Sequence, residues 1–160
     1  MIYHPFPPLY NENSKILILG SFPSVKSREQ MFFYGHPQNR FWKVVSAVFE
    51  STEPVTIEEK RNFLLNNGIA LWDVIGSCEI TGSADSSIKD VKVNDISEIL
   101  NIADIKNIYV NGKTAEKYFN KYMKKSISKE AICLPSTSPA NAAWSVDKLI
   151  EAWSIIKNNI

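Results

Sequence analysis

Residues 20–24 and 32–42 hold the side chains of this sequence that are best suited to binding a planar ring. The first segment reads GSFPS and the second reads FFYGHPQNRFW. Burying Phe32, Phe33 and Tyr34 together would need core space that a connecting loop rarely has, whereas stacking on a nucleic-acid base stabilises by about 1–3 kcal/mol per base. We therefore expect Tyr34 to stack on a base, and Phe32 and Phe33 to plug the top of a sheet.

Three polar side chains of the second segment each have two interpretations. Asn39 is either the N-cap of a helix that begins at Arg40 or a carboxamide that accepts a hydrogen bond from water and donates another. His36 is the one histidine expected near this loop. A turn residue before Pro37 is its favoured interpretation, with a general acid as the alternative. Arg40 is expected to meet either a phosphate or a carboxylate.

A second polar loop reads LPSTSPAN at residues 134–141. Small hydroxyl residues between Pro135 and Pro139 predict a stiff, narrow loop that offers hydroxyl and amide donors to phosphates. The candidate donors are Ser136, Thr137, Ser138 and Asn141. The alternative is a capping cluster for the final helix, with Ser138 or Asn141 as the cap.

Two shorter loops add a carboxylate and a lysine. Asp73 ends an apolar run and is an acceptor for a ligand N–H, a helix cap or an ion-pair partner of Arg40. Asn111, Gly112 and Lys113 open a predicted helix, which is a common place for a phosphate. The full GxxxxGK[ST] pattern is missing, so a nucleotide-binding P-loop is not supported.

The elements that position these loops alternate between strand and helix. Near-continuous apolar runs predict buried strands at residues 16–20, 69–75, 105–110 and 131–134. Helices are predicted at residues 41–49, at 56–67 between a capping box and Gly68, and at 95–103, 113–123 and 145–157. This alternation predicts an α/β fold, a three-layer α/β/α sandwich with a central, mostly parallel four-stranded sheet. Such sheets bind ligands beyond the carboxyl ends of their strands, where all the loops above lie.

Composition limits the classes of partner and cofactor. A chain of 160 residues predicts a single domain, residues 1–160. Its formal net charge of +1 is unlike that of proteins that coat nucleic acid, so any contact with DNA must be local. Cys78 and Cys133 are too few and too far apart for an iron–sulfur or cysteine-based zinc site, and we expect neither cofactor nor metal. No apolar run approaches the ~20 residues of a membrane helix, which predicts a cytoplasmic protein without a membrane partner.

These motifs, taken in order, resemble the uracil-DNA glycosylase superfamily. GSFPS and HPQNRFW are similar to the first conserved region of the mismatch-specific uracil/thymine glycosylases, and LPSTSPAN to the superfamily's second motif. The hypoxanthine-DNA glycosylase branch is closer still. It also has segments like HPFPP at 4–8, NENS at 11–14, ALWDV at 70–74, SCE at 77–79 and GSADS at 82–86. The resemblance covers most of the chain and implies the fold of that superfamily.

The resemblance implies a monofunctional enzyme that flips a deaminated base, hypoxanthine or uracil, out of DNA and hydrolyses its glycosidic bond. It makes Asn39 the catalytic residue. The base-binding residues are then Ser21, Phe22, Tyr34 and Asp73. The DNA-binding residues are Ser24, His36, Arg40, Ser136, Thr137, Ser138, Asn141 and Lys113. The partner is damaged or mismatched DNA, double- or single-stranded, and the protein is a monomer at the nucleoid of a prokaryote.

Phe22 departs from the family pattern, which places Asp, Asn or Glu there to position the attacking water. Phenylalanine cannot orient water by hydrogen bonding. Either Asn39 does this work, or the protein is an inactive module that binds damaged DNA. Leu134 likewise replaces the polar first residue of the second motif. A nucleoside hydrolase on the same layout is a third hypothesis, disfavoured because a small ligand leaves the aromatic and STSPAN loops unexplained.

Overall fold

The computed structural model describes residues 1–160 apart from the side chain of Asn159. In chain order its strands are β1 (Ile2–Tyr3), β2 (Ile16–Gly20), β3 (Ile69–Asp73), β4 (Ile75–Glu79), β5 (Lys89–Val93), β6 (Asn107–Asn111) and β7 (Ala131–Leu134). Its α-helices are α1 (Val25–Gln30), α2 (Phe41–Val48), α3 (Ile57–Asn66), α4 (Ser97–Ile102), α5 (Lys113–Tyr118), α6 (Lys124–Ile127) and α7 (Val146–Trp153). Residues Phe119–Met123 form a π-helical segment, and Asp85–Ser87 and Ser154–Asn159 are 3₁₀ turns.

A parallel sheet with strand order β3-β2-β6-β7 forms the centre of the fold. Every residue of β2 and β3 is buried, as expected of strands covered on both faces. Helix α2 packs on α7, α3 on β3, and α5 on β6 and β7. The predicted α/β fold with a four-stranded parallel sheet flanked by helices is confirmed. Within the described residues, no helix is long and apolar enough to cross a membrane.

Two strand predictions differ from the structure at their ends. The third strand begins at Asn107 instead of residue 105, because the Ile105 amide bonds the Ala103 carbonyl in a tight turn. The second strand ends at Asp73 because the chain then leaves the parallel sheet. The Val74 carbonyl accepts from the Asn94 amide at 2.8 Å, and Ile75 then pairs with Val93 of the antiparallel sheet.

A second, antiparallel sheet with order β1-β4-β5 was not predicted. Strand β1 has two residues and β4 contains Gly76 and Ser77, so neither shows the apolar pattern of a strand. This sheet fixes the N-terminal segment: the His4 amide donates to the Gly76 carbonyl at 2.8 Å. The side chain of His4 is thereby carried to the end of β3.

The helix boundaries follow their caps. Thr56 and Glu59 form the predicted capping box of α3, and Gly68 follows its end with a φ of 72° that favours glycine. The cap of α7 is Ser145, whose hydroxyl accepts from the Lys148 amide at 3.2 Å. The alternative that Ser138 or Asn141 caps this helix is therefore wrong.

Candidate active site

Asn39 lies between α1 and α2, against the loop that follows β7. Its Oδ1 accepts a hydrogen bond from the backbone N of Phe41 at 2.9 Å and one from Thr137 Oγ1 at 2.9 Å. The first bond closes a turn just before α2, which begins at Phe41 with Arg40 as its N-cap, so the prediction that Asn39 is the N-cap of a helix beginning at Arg40 is wrong. The side chain remains partly exposed. The carboxamide therefore bonds the first residue of α2 and also joins a network that reaches the loop after β7.

Asn111 and Thr137 extend this network across the strand ends. Asn111, the last residue of β6, donates from Nδ2 to Thr137 Oγ1 at 3.0 Å, and its Oδ1 accepts from the Thr137 backbone N at 3.1 Å. Thr137 has 0% exposure. A side chain without exposed surface has no atom to offer a phosphate, which corrects the prediction that Thr137 binds DNA. It connects Asn111 to Asn39 instead.

Tyr34 adopts a left-handed backbone φ of 51°, which is costly for an aromatic residue. The turn is held from both neighbouring helices. The Gly35 amide donates to Ser27 Oγ of α1 at 2.8 Å. Trp42 Nε1 of α2 donates to the Tyr34 carbonyl at 3.2 Å. One ring face stacks on Phe41 with 4.0 Å between centroids, so only the rest of the half-buried ring is left for a base.

The Tyr34 hydroxyl lies at the inner end of the site. It is buried and makes no well-formed hydrogen bond. Burial raises the pKa of this phenol, the Asp73 carboxylate raises it further, and the Asn111 side chain partly opposes the rise in pKa. A Cβ on Gly20 would lie 3.0 Å from this hydroxyl and 2.4 Å from Asp73 Oδ1. Glycine at the end of β2 therefore leaves the space that these two groups occupy.

Tyr34→Phe is expected to leave the protein folded. Its free energy of unfolding relative to that of wild type should increase as the pH rises into the alkaline range. The folded-state pKa lies above the ordinary value of 10.0. The stabilising contribution of the neutral phenol is therefore complete below pH 10 and is lost as the pH rises above it. Urea unfolding from neutral to strongly alkaline pH measures the difference, with exposed Tyr122→Phe as the control. A gap that stays constant above pH 10 would count against the assigned burial.

Asp73 pairs with His4. The His4 Nε2 to Asp73 Oδ2 distance is 2.7 Å, and the two side chains are 2% and 6% exposed. Neither a helix cap nor an ion pair with Arg40, the two alternatives drawn from sequence, is present in the structure. His4 Nδ1 is buried without a hydrogen-bond partner. The pair is thus a buried acid–histidine contact at the carboxyl end of β3.

An aromatic cluster encloses His4. Its ring centroid lies 4.5 Å from Phe6, 4.3 Å from Trp72, 6.0 Å from Phe22 and 6.4 Å from Phe33. Phe22, predicted to bind the base, is 8% exposed. Little of its surface is therefore available to a base. Phe33 is 3% exposed and Phe32 5%, which confirms their prediction as core residues.

Arg40 organises the loop after β7. Its guanidinium donates to the carbonyl oxygens of Ser138 at 2.8 Å, Asn141 at 3.1 Å and, from Nη1, Trp144. Its backbone N also donates to the Thr137 carbonyl at 3.1 Å. Among the described residues no carboxylate pairs with Arg40, because these carbonyls take most of its donors, and its contact with a phosphate stays a prediction.

Arg40→Ala is expected to lower the free energy of unfolding by about 2–4 kcal/mol, because several half-buried carbonyls lose a charged donor. Urea denaturation measures this loss. Arg61→Ala, at an exposed position of α3, is the matched control and should change stability little. Hydrogen exchange of the amides of residues 138–144 should accelerate in Arg40→Ala alone. Equal stability of the two variants would show that the loop does not depend on these bonds.

The first motif's other predicted residues have local structural partners. Ser21 Oγ donates to Asp85 Oδ1 at 3.3 Å. Ser24 caps α1 by accepting from the Ser27 amide at 3.2 Å. His36 Nδ1 accepts from the Gln38 amide at 3.1 Å, as in the turn expected before Pro37. Ser21 and Ser24 also remain partly exposed, so these bonds do not exclude contact with a ligand.

A groove of about 860 Å³ lies beside the network. Among the residues that line it are the predicted DNA-binding residues Lys113, Ser136, Ser138 and Asn141. Ser136 and Ser138 flank Thr137, so the groove adjoins the site through this loop. The loop is held from within: the Ser138 amide donates to Ser136 Oγ at 3.1 Å and Asn141 Nδ2 to the Ser136 carbonyl at 3.0 Å.

Sequence reasoning missed His4 and the side-chain role of Asn111. His36 was expected to be the histidine near the site, whereas His4 is the one that contacts Asp73. Asn111 was noted only as part of a phosphate-binding helix start. Its position as the last residue of a buried strand, at the edge where ligands bind, was the available signal. For His4 the only signal was the resemblance of the HPFPP segment.

The family model, the relatives and the solved structure that this chain matches all point to the same family. The model of the uracil DNA glycosylase superfamily matches residues 7–157. The chain is 36% identical over 158 residues to the hypoxanthine DNA glycosylase of Methanosarcina acetivorans, with 98% of each chain covered. It is 34% identical over 138 residues to that of Methanosarcina barkeri, covering 85% of this chain and 86% of the relative. A solution NMR structure of a candidate uracil DNA glycosylase from Methanosarcina acetivorans superposes with a TM-score of 0.82 at 34% identity, covering 98% and 97% of the two chains.

The chain belongs to the uracil DNA glycosylase superfamily. The resemblance predicted from its motifs is thereby confirmed. Membership makes it a DNA glycosylase, a hydrolase of N-glycosidic bonds whose substrate is DNA. Within the superfamily it is similar to the two archaeal proteins named hypoxanthine DNA glycosylase.

Proposed function

We propose that this protein excises a deaminated base, hypoxanthine or uracil, from DNA as the first step of base excision repair. The observation that carries the proposal is the partly exposed Asn39 carboxamide, held by two hydrogen bonds beside the carboxyl ends of the sheet. The names of the two relatives favour hypoxanthine. Residues 1–160 act as one glycosylase domain and as a monomer, in the cytoplasm at the nucleoid, where the substrate lies.

The site is proposed to receive a base that has left the duplex. The glycosidic bond is inaccessible inside the stack, so flipping must precede the chemistry. Tyr34 has one face committed to Phe41, and the remainder of its ring packs against the flipped base. A fixed site for the base supplies orientation, while the sugar leaves as an oxocarbenium-like species that needs little push from a nucleophile.

Asp73 is proposed to accept the ring N–H that uracil and hypoxanthine share, N3–H and N1–H respectively. His4 holds its Oδ2, which leaves Oδ1 beside Gly20 and the Tyr34 hydroxyl. Ser21 and the exposed edge of Phe22 border the same position. A carboxylate with one oxygen already fixed has fewer orientations to lose when a base binds.

The DNA backbone is proposed to run along the groove beside the site. Lys113 and Lys117 line it from α5, and Ser136, Ser138 and Asn141 from the STSPAN loop. Ser24 and His36 are proposed to contact the backbone from the other side, so that the two loops hold it around the flipped nucleotide. With so few cations, affinity should fall only moderately with salt.

The proposal is tested with duplexes and single strands that carry one uracil, hypoxanthine or xanthine. Excess protein, EDTA and subsequent alkali report base release as strand cleavage. We expect cleavage at hypoxanthine, at uracil or at both, only after alkali, because the residues proposed to hold the base, Asn39, Tyr34 and Asp73, include no amine nucleophile. Tight binding to a damaged duplex without release of any base would instead identify an inactive damage-binding module.

A further inference from the structure

Two backbone amides fix the direction of the hydrogen bonds between Asn39, Thr137 and Asn111. The oxygen and nitrogen of a carboxamide are hard to distinguish by position alone. A backbone N–H, however, can only donate. The atom of Asn39 that faces the Phe41 amide at 2.9 Å must therefore be Oδ1, and the atom of Asn111 that faces the Thr137 amide at 3.1 Å must also be Oδ1.

The direction of the hydrogen bonds that Thr137 Oγ1 makes follows from the orientation of Asn111. Asn111, with its Oδ1 fixed, presents Nδ2 to Thr137 Oγ1 at 3.0 Å and donates to it. A hydroxyl has one hydrogen, and here it points to Asn39 Oδ1 at 2.9 Å. The chain Asn111 to Thr137 to Asn39 is thus polarised from one end to the other.

Both acceptor positions of Asn39 Oδ1 are consequently occupied, one by the Phe41 amide and one by the Thr137 hydroxyl. Asn39 Nδ2 takes no part in the bonds to the Phe41 amide and the Thr137 hydroxyl. Within the described part of the chain it makes no hydrogen bond, and it is not among the buried unpartnered atoms. The carboxamide therefore has an unpaired donor that solvent can reach, whereas its acceptor is already used within the protein.

We propose that Thr137, together with the Phe41 amide, locks Asn39 so that it acts on the substrate as a hydrogen-bond donor through Nδ2. The inference rests on the proposed function. It decides whether Asn39 donates a hydrogen bond to the substrate or accepts one from the attacking water. An Asn39 that orients water must accept a hydrogen bond from it, and that would break a bond already made within the protein. Thr137 is a positioning residue, because a side chain with 0% exposure cannot touch the substrate.

A donor at this position matches the charge that develops during base release. The bond between C1′ and the base nitrogen breaks, its electron pair goes to the base, and Nδ2 donates to the negative charge that appears there. A water oxygen then bonds to C1′, and one of the water's protons passes through solvent to the released base anion. A fixed donor of this kind is worth about 100- to 1000-fold in rate, because it needs no rearrangement when the charge forms.

The test uses an isosteric pair of changes. Asn39→Asp keeps an acceptor for the Phe41 amide and the Thr137 hydroxyl but removes the NH₂ donor, so the rate of base release should fall as far as in Asn39→Ala. Thr137→Val keeps the shape and removes the hydroxyl, so the rate should fall about 10- to 100-fold while the duplex Kd stays unchanged. Thr137→Ser should restore the rate. A wild-type rate in Asn39→Asp or in Thr137→Val would overturn the proposal.

A second readout does not depend on activity. In Asn39→Asp the Phe41 amide proton should shift in NMR spectra as the new carboxylate ionises, because it donates to that group. If wild type releases no base, the proposed function fails, and the locked geometry is still judged by this shift. A Phe41 amide that ignores the titration would show that Asn39 is not held as described, and would refute the inference by itself.

Discussion

Replacing Asn39 by alanine is expected to lower the rate of base release by about 100- to 1000-fold, the usual effect of removing one fixed donor from a site of developing charge. Binding to damaged DNA should persist, because the backbone contacts assigned to the groove and to the STSPAN loop are untouched. The loss belongs to the chemical step. It should therefore appear in the single-turnover rate and not in the duplex Kd.

Asn62→Ala is the matched control for this prediction. Asn62 is an exposed residue of α3, so the same atoms are removed where they touch no part of the site. Thermal unfolding of both variants checks that Asn39→Ala remains folded, since its side chain also bonds the first turn of α2. Equal rates in the two variants would move the chemistry away from Asn39, toward the buried pair of His4 and Asp73.

His4→Ala is expected to lower the free energy of unfolding by about 3–5 kcal/mol, because a buried carboxylate loses its hydrogen-bond partner and a buried ring is truncated. The change strands the Asp73 carboxylate, which is 6% exposed, without its 2.7 Å partner. It also opens a hole among the rings of Phe6 and Trp72. Urea unfolding at neutral pH measures the loss.

His36→Ala is the control, because it deletes the other histidine from a partly exposed turn. A double variant separates the two causes of the loss. Adding Asp73→Asn to His4→Ala should recover the part that comes from the stranded charge and leave the part that comes from the cavity. If His4→Ala is no less stable than His36→Ala, the pair does not hold the end of β3.

The parallel sheet was predictable because burial on both faces leaves a direct mark on a sequence. Continuous apolar runs such as Ile16–Gly20 occur where no face of a strand meets water. The antiparallel sheet leaves no such mark. Strand β1 has two residues, and its pairing with β4 joins segments more than seventy positions apart. Local pattern carries no information about a contact of that kind.

The candidate site was predictable as a set of loops but not as a network. Asn39 and Tyr34 stood out by type and by motif, and both lie at the expected edge of the sheet. The partners of Asn39 did not stand out, because Thr137 lies 98 positions away and was assigned to DNA. The partners of Arg40 were not predictable either: carbonyl oxygens are present in every residue, so nothing in the sequence marks those of Ser138 and Asn141 as its acceptors.

At Gly20 the structure explains a feature that the sequence shows only as part of a motif. The sequence placed it at the end of a strand, in a motif. The structure adds that a Cβ there would fall 2.4 Å from Asp73 Oδ1, so the glycine admits a buried carboxylate to the site. The motif and the acid–histidine pair are therefore parts of one arrangement, although their residues are far apart in the chain.

The most direct measurement is the release of free base from a duplex with a single deoxyinosine, detected by mass spectrometry and set against the number of alkali-labile sites formed. Wild type and Asn62→Ala should release free hypoxanthine in equal number to those sites, and Asn39→Ala should release almost none. A parallel uracil duplex tells whether the second base is also accepted. If neither duplex yields free base although both are bound tightly, the protein is not a glycosylase but an inactive module that binds damaged DNA.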